Sequence, residues 1–163
     1  MKRQKRTKHE DLDRIDILIL KTLQQNGRIS WVDLAEKIHL SASPCLERVK
    51  RLEQKGFIRG YTAILDEHLL GFSEIAFVYL SLKDMQRARI RDFRRNIATM
   101  GSVVECYAIT GDYDFFLKIQ FGDLNQMRSI ISSLQGLPNV VRCNSSIAVE
   151  KLESKVAVRL PFD

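Results

Sequence analysis

The chain has no apolar run approaching the ~18 residues that a membrane-spanning helix needs, so no spanning segment is expected. Its opening cations, Lys2, Arg3, Lys5, Arg6 and Lys8, are followed by acidic residues rather than an apolar stretch, which is not the pattern of a secretory signal. A cytoplasmic location is expected. Cysteine is scarce: Cys45, Cys106 and Cys143 are odd in number, form no CxxC pair and have no histidine at metal-ligand spacing. Reduced thiols packed as small apolar groups are expected, with no metal and no cofactor. The sequence also lacks GxGxxG, GxxxxGKS, GxxxxGKT, GxSxG and HExxH, and His9, His39 and His68 show no partner pattern. Catalysis is therefore not expected.

What the chain does have is positive charge, unevenly spread. Residues 1–66 hold 14 Lys and Arg against 9 Asp and Glu, an excess of five, while the remainder holds 12 against 11. Such asymmetry points to a polyanionic partner for the N-terminal part, with membrane binding as the competing reading of the basic charge. Residues 1–10 are polar and basic without periodicity and read as a flexible tail, which either adds nonspecific attraction to phosphate or only solubilises the chain.

Hydrophobic periodicity then gives three short helices over residues 11–60. Leu12, Ile15, Leu18, Ile19 and Leu23 stripe the first, which ends at Asn26-Gly27. Ser30 and Asp33 resemble a capping box for the second, with Trp31, Leu34, Ala35 and Ile38 as its stripe. The third starts after Ser41 or Ser43, accommodates Pro44 in its first turn and stops at Gly56. Leu46, Val49 and Leu52 are its expected apolar side, and Arg48, Lys50, Arg51 and Lys55 project elsewhere. Three short helices with basic charge on the last is the layout of a helix-turn-helix domain that reads double-stranded DNA.

Phe57 to Leu65 is rich in β-formers and reads as a strand, with residues 61–73 as strand and linker. From 74 to 163 the period alternates between two and 3.6. Strands are expected at Ile75–Leu82, Val103–Ile109, Phe115–Phe121 and Val141–Val149, and helices on the stripes Ile90, Phe93, Ile97, Met100 and Leu124, Met127, Ile130, Ile131, Leu134. The order βαββαβ is that of a ferredoxin-like unit. Val156, Val158 and Leu160 alternate once more, as an added strand would. With helices on one face only, such a sheet leaves Tyr79 and Phe116 uncovered, and a two-fold dimer packed sheet on sheet would cover them.

Asp11-Leu12-Asp13-Arg14-Ile15-Asp16, Gly27-Arg28-Ile29-Ser30, Pro44-Cys45-Leu46-Glu47-Arg48-Val49, Gly56-Phe57-Ile58 and Gly111-Asp112-Tyr113-Asp114 together resemble the Lrp/AsnC family, in its order and spacing, over residues 11–160. The resemblance implies an α+β chain, in which an N-terminal winged helix-turn-helix domain precedes a ferredoxin-like βαββαβ domain of RAM type. It implies a nucleoid-associated transcription regulator, assembled as dimers and octamers, that responds to a free amino acid, leucine or another small or apolar one. Carried onto this chain, the DNA-reading face comprises Ser41, Ser43, Pro44, Cys45, Arg48 and Arg51; the competing reading pairs Arg48 and Arg51 with Glu47 or Glu53 as solvated ion pairs. The effector site is placed between dimers at Thr110, Gly111, Asp112 and Asp114, with Leu124, Ser146 and Ile147. Carboxylates there would hold the ligand ammonium, and backbone N–H groups near Gly111 its carboxylate. A plain β-turn is the competing reading of Gly111 to Asp114, and an effector-independent, DNA-compacting architectural protein is the competing function.

Overall fold

The computed structural model describes residues 12–153, 158 and 160. They form two compact units, one running up to Ile64 and joined by Glu153, Val158 and Leu160, the other Leu65–Leu152.

The first unit is helical: α1 (Arg14–Gln25), α2 (Trp31–Lys37) and α3 (Ala42–Gln54). Asp13 caps α1 in a full capping box, its side chain accepting from the Asp16 N–H while the Asp16 carboxylate accepts from the Asp13 N–H. Ser30 accepts from the Asp33 N–H at the start of α2. Ser41 occupies the cap position of α3 without a side-chain bond, and Gly56 follows the helix at φ +77, a left-handed conformation that favours glycine. Ile19, Leu20, Leu34, Ala35, Ile38, Cys45, Val49 and Leu52 close the core.

The buried side of α3 corrects the expected one. Cys45, Val49 and Leu52, spaced i, i+4, i+7, are the fully buried residues, whereas Leu46 is half-buried. A repeat of strictly three drifts around a helix of 3.6 residues per turn, so the 45–49–52 row makes the straighter stripe.

Phe57–Leu65 has no strand pairing. β-formers need a neighbouring strand, and none among the described residues pairs with this one; Phe57 and Ile58 pack on the helical core instead. Leu160, expected in an added strand, also packs on that core. Val156 lies outside the described residues.

The second unit is β1 (Glu74–Leu82), α4 (Arg87–Ala98), β2 (Val103–Ala108), β3 (Phe115–Phe121), α5 (Leu124–Gln135) and β4 (Val140–Ile147). The sheet order is β2-β3-β1-β4 with every neighbour antiparallel, the ferredoxin-like arrangement. Ala76, Val78, Leu80, Phe115, Leu117, Ile119 and Phe121 alternate onto the helix-covered face and pack with Phe93, Ile97 and Leu134. Phe77, Tyr79, Tyr107, Tyr113 and Phe116 share the other face as one aromatic cluster, with ring centroids 5.4–6.1 Å apart. Among the described residues no helix is long and apolar enough to cross a membrane.

Candidate nucleic-acid interface and ligand site

With Cys45, Val49 and Leu52 turned inward, helical geometry directs Ser43, Glu47, Lys50 and Gln54 to the opposite side of α3, and all four are exposed. Ser41 and Pro44 are also exposed. Cys45 is fully buried, which removes it from the expected reading face: as a small apolar group it fills the space beneath the first turn, and burial pushes its thiol up from its ordinary range. Lys50, Glu47 and Gln54 were missing from the expected set. With Cys45 rather than Leu46 in the buried row, the outward direction turns by only about 30° around the helix, toward Lys50.

Arg48 and Arg51 turn back onto α1. Arg48 Nη1 lies 2.6 Å from Asp13 Oδ2 and 2.9 Å from Asp16 Oδ1, and Arg51 Nη2 lies 2.7 Å from both oxygens of Asp16. The partners are thus α1 carboxylates, neither Glu47 nor Glu53. Asp16 is 1% exposed, while the Arg48 and Arg51 side chains keep 26% and 45% of their surface in solvent. Burial pushes the Asp13 carboxyl up, but the Asp16 N–H and the Arg48 guanidinium outweigh it and hold it below the ordinary value. The result is a charged clamp that fixes the recognition helix against α1.

The far end of α3 is tied by Tyr61, whose hydroxyl donates to Glu53 Oε1 at 3.0 Å. Burial, and then the Glu53 carboxylate, push the phenol up to about 12. Because the folded value exceeds the unfolded one of about 10, the stabilisation is complete below pH ~10 and is lost as pH rises from there to about 12. Tyr61→Phe is expected to remove that alkaline loss, measured as the urea midpoint of Trp31 fluorescence at rising pH. An unchanged slope in the variant would show that the bond contributes nothing.

In the second unit, the β2–β3 turn contains Gly111 at φ +114, which favours glycine. Thr110, Gly111 and Asp112 are exposed, and Asp112 has no hydrogen-bond partner among the described residues. Asp114 is half-buried and engaged: its Oδ2 accepts from the Leu82 N–H at 2.8 Å and its own N–H donates to the Leu80 carbonyl. It anchors the turn to β1, which is the structural part of the β-turn reading. Beside it, Tyr113 stacks toward Tyr79, receives a hydrogen bond from Asn144 Nδ2 at 2.9 Å and lies under the Arg142 guanidinium, 4.7 Å from the ring centre.

The seven expected effector residues do not converge within one chain. The turn lies at the Leu80–Leu82 end of β1, whereas Ser146 pairs with Phe77, Ile147 with Ala76, and Leu124 follows the Glu74–Phe121 pair at the other end. From Leu80 to Ala76 alone is four residues, ~13 Å of strand.

A three-helix unit with an exposed recognition helix, followed by an open-faced βαββαβ unit, defines a DNA-binding regulator with a separate ligand domain. The family models agree in order and extent: the winged helix-turn-helix DNA-binding model matches residues 12–59, and the Lrp/AsnC ligand binding domain matches 75–158. The leucine-responsive regulatory proteins of Escherichia coli and Salmonella typhimurium are each 39% identical over 145 residues, covering 88% of either chain. A Neisseria meningitidis transcriptional regulator solved as an L-Met complex is 32% identical with a TM-score of 0.86, covering 91% of this chain and 96% of its own. An AsnC family transcriptional regulator from Agrobacterium tumefaciens superposes with a TM-score of 0.87 at 26% identity, covering 91% and 97%. The chain belongs to the Lrp/AsnC family of DNA-binding transcription regulators.

Proposed function

We propose that the protein is a cytoplasmic, non-enzymatic regulator whose grip on double-stranded DNA is set by a small or apolar free amino acid. The observation that carries the reading is the exposed β2–β3 turn, where Gly111 opens the backbone and Asp112 offers an uncommitted carboxylate. Thr110 and Asp114 flank it, and Asp114 shapes the turn while its second oxygen stays available for an ammonium. The L-Met complex of the Neisseria relative supports an amino acid as the ligand class. Because Leu124, Ser146 and Ile147 lie at the opposite end of the sheet, a site using both groups takes them from different copies of the chain.

DNA is read by the outward side of α3, through Ser41, Ser43 and Pro44 at its start and Glu47, Lys50 and Gln54 along it. Arg48 and Arg51 orient the helix through Asp16 and present their remaining surface to the phosphate backbone. The aromatic sheet face is the dimer surface. It carries five rings on one side of a sheet whose helices all lie on the other, and a dimer places two reading heads for a palindromic site. Association of dimers into octamers and placement on the nucleoid extend the same reading.

A thermal-shift series over the twenty common amino acids tests it. A ligand at a hundred times its dissociation constant is expected to stabilise the fold by ~2.7 kcal/mol, and the responding amino acid should alter DNA affinity in the same samples. Stabilisation by none of them, with DNA binding intact, would favour the effector-independent architectural role.

A further inference from the structure

The near-neutral charge of the C-terminal half conceals a strong segregation. Arg87, Arg89, Arg91, Arg94 and Arg95 all belong to α4, with Asp92 as its only acid, whereas the rest of residues 67–163 is net acidic. All five arginines are exposed. Asp92 reaches Arg95 alone, at a loose 3.8 Å, and no ion pair holds Arg87, Arg89, Arg91 or Arg94 among the described residues.

With Ile90, Phe93 and Ile97 turned to the core, the i, i+4 and i+3 steps from Arg87 to Arg91 and on to Arg94 and Arg95 make one lateral stripe of four guanidiniums. It spans ~12 Å of helix axis. Arg89 falls on the other flank.

This stripe works against the helix that carries it. Arg87–Arg91 and Arg91–Arg95 are like-charge pairs at i, i+4, which destabilise a helix. Arg87 and Arg89 sit in the first turn, where the helix dipole disfavours cations, the first turn holds no acidic residue, and Gln86 caps it with no side-chain bond. A merely solvated face would interleave acids with these cations. A local electrostatic conflict retained in an otherwise consistent fold marks a functional surface.

We propose that the α4 stripe is a second DNA contact, in which the ligand-binding domain grips phosphates without reading sequence while α3 reads bases. Charge complementarity favours DNA over an acidic protein, because the chain belongs to a DNA-binding family and a duplex presents one charge per ~1.7 Å of axis, dense enough to engage all four guanidiniums together. Such a contact lengthens the DNA path held by each protomer beyond the recognition helix.

The test compares the full chain with the triple variant Arg87→Gln, Arg91→Gln, Arg94→Gln, and with Arg89→Gln, by titrating long random-sequence duplexes across a salt series. Each lost phosphate contact lowers the salt slope by about 0.9, so the triple variant should lose about 2.7 per protomer, whereas Arg89→Gln, off the stripe, should leave the slope unchanged rather than lower it by about 0.9. A guanidinium-specific dicarbonyl reagent, read by mass spectrometry, should modify Arg87, Arg91 and Arg94 in the free protein and spare them on long DNA. An unchanged slope with unprotected arginines overturns the proposal even if α3 binds normally. So does a slope that falls only because sedimentation shows the triple variant has changed oligomeric state, which would make the stripe a contact between copies of the chain.

Discussion

Asp16→Ala is expected to destabilise the helical unit by ~2–3 kcal/mol and to abolish tight DNA binding. Asp16 closes the α1 capping box and receives Arg48 and both contacts from Arg51 while itself nearly inaccessible. Charge-assisted bonds contribute about 1.5–3 kcal/mol and a cap adds about 1 kcal/mol. The two guanidiniums, still partly in solvent, recover some hydration when the carboxylate is removed, which keeps the total near the lower end of that sum. Trp31 is the chain's single tryptophan and belongs to this unit, so urea titration followed by its fluorescence isolates the effect. Asp16→Asn keeps an acceptor and the side-chain shape, and should fall between wild type and Ala. A loss below about 0.5 kcal/mol for Ala, the size of an ordinary surface substitution, would demote the clamp to an incidental ion pair.

Phe116→Asp is expected to leave a folded monomer. Phe116 is the hub of the uncovered aromatic face, stacked with Phe77 at 5.5 Å and edge-on to Tyr79 at 5.4 Å. It points away from the buried side of β3, so the helix-covered core is untouched. In a two-fold dimer each copy loses a ring worth ~1.5–3 kcal/mol of burial and acquires a carboxylate facing its twin. Dimerisation weakened by ~3–6 kcal/mol corresponds to roughly a hundred- to ten-thousand-fold in dissociation constant. Sedimentation at micromolar concentration reads the change, and far-UV circular dichroism verifies that the sheet persists. A variant that remains fully dimeric would show that another surface joins the copies.

Most of the fold is written in local pattern. The stripes Ile90–Phe93–Ile97 and Val78–Leu80, and the alternation through Phe115, Leu117, Ile119 and Phe121, announce their elements because each segment has one buried and one open side. The errors arise where local pattern is ambiguous. Leu46–Val49–Leu52 and Cys45–Val49–Leu52 share two members, and only packing against α1 and α2 shows which row is buried. Phe57–Leu65 has strand composition but no partner strand, a long-range fact that composition does not carry. The clamp was half legible: Asp13 and Asp16 stand at capping-box spacing, yet their meeting with Arg48 and Arg51 crosses about thirty-five residues. The turn at Gly111 was readable from its residue types, whereas the anchoring bond from Leu82 to Asp114 depends on sheet register.

In the proposed shared site, ligand contacts at opposite ends of one sheet would change what the sensor measures. A pocket whose two walls belong to different molecules scarcely exists in an isolated chain, so its affinity for the metabolite rises with the concentration of the protein itself. A cell holding few copies would be deaf to an amino acid that a cell holding many would hear. The switch would then report the product of nutrient supply and its own abundance, and any change in its expression would reset the nutrient threshold without a single altered residue.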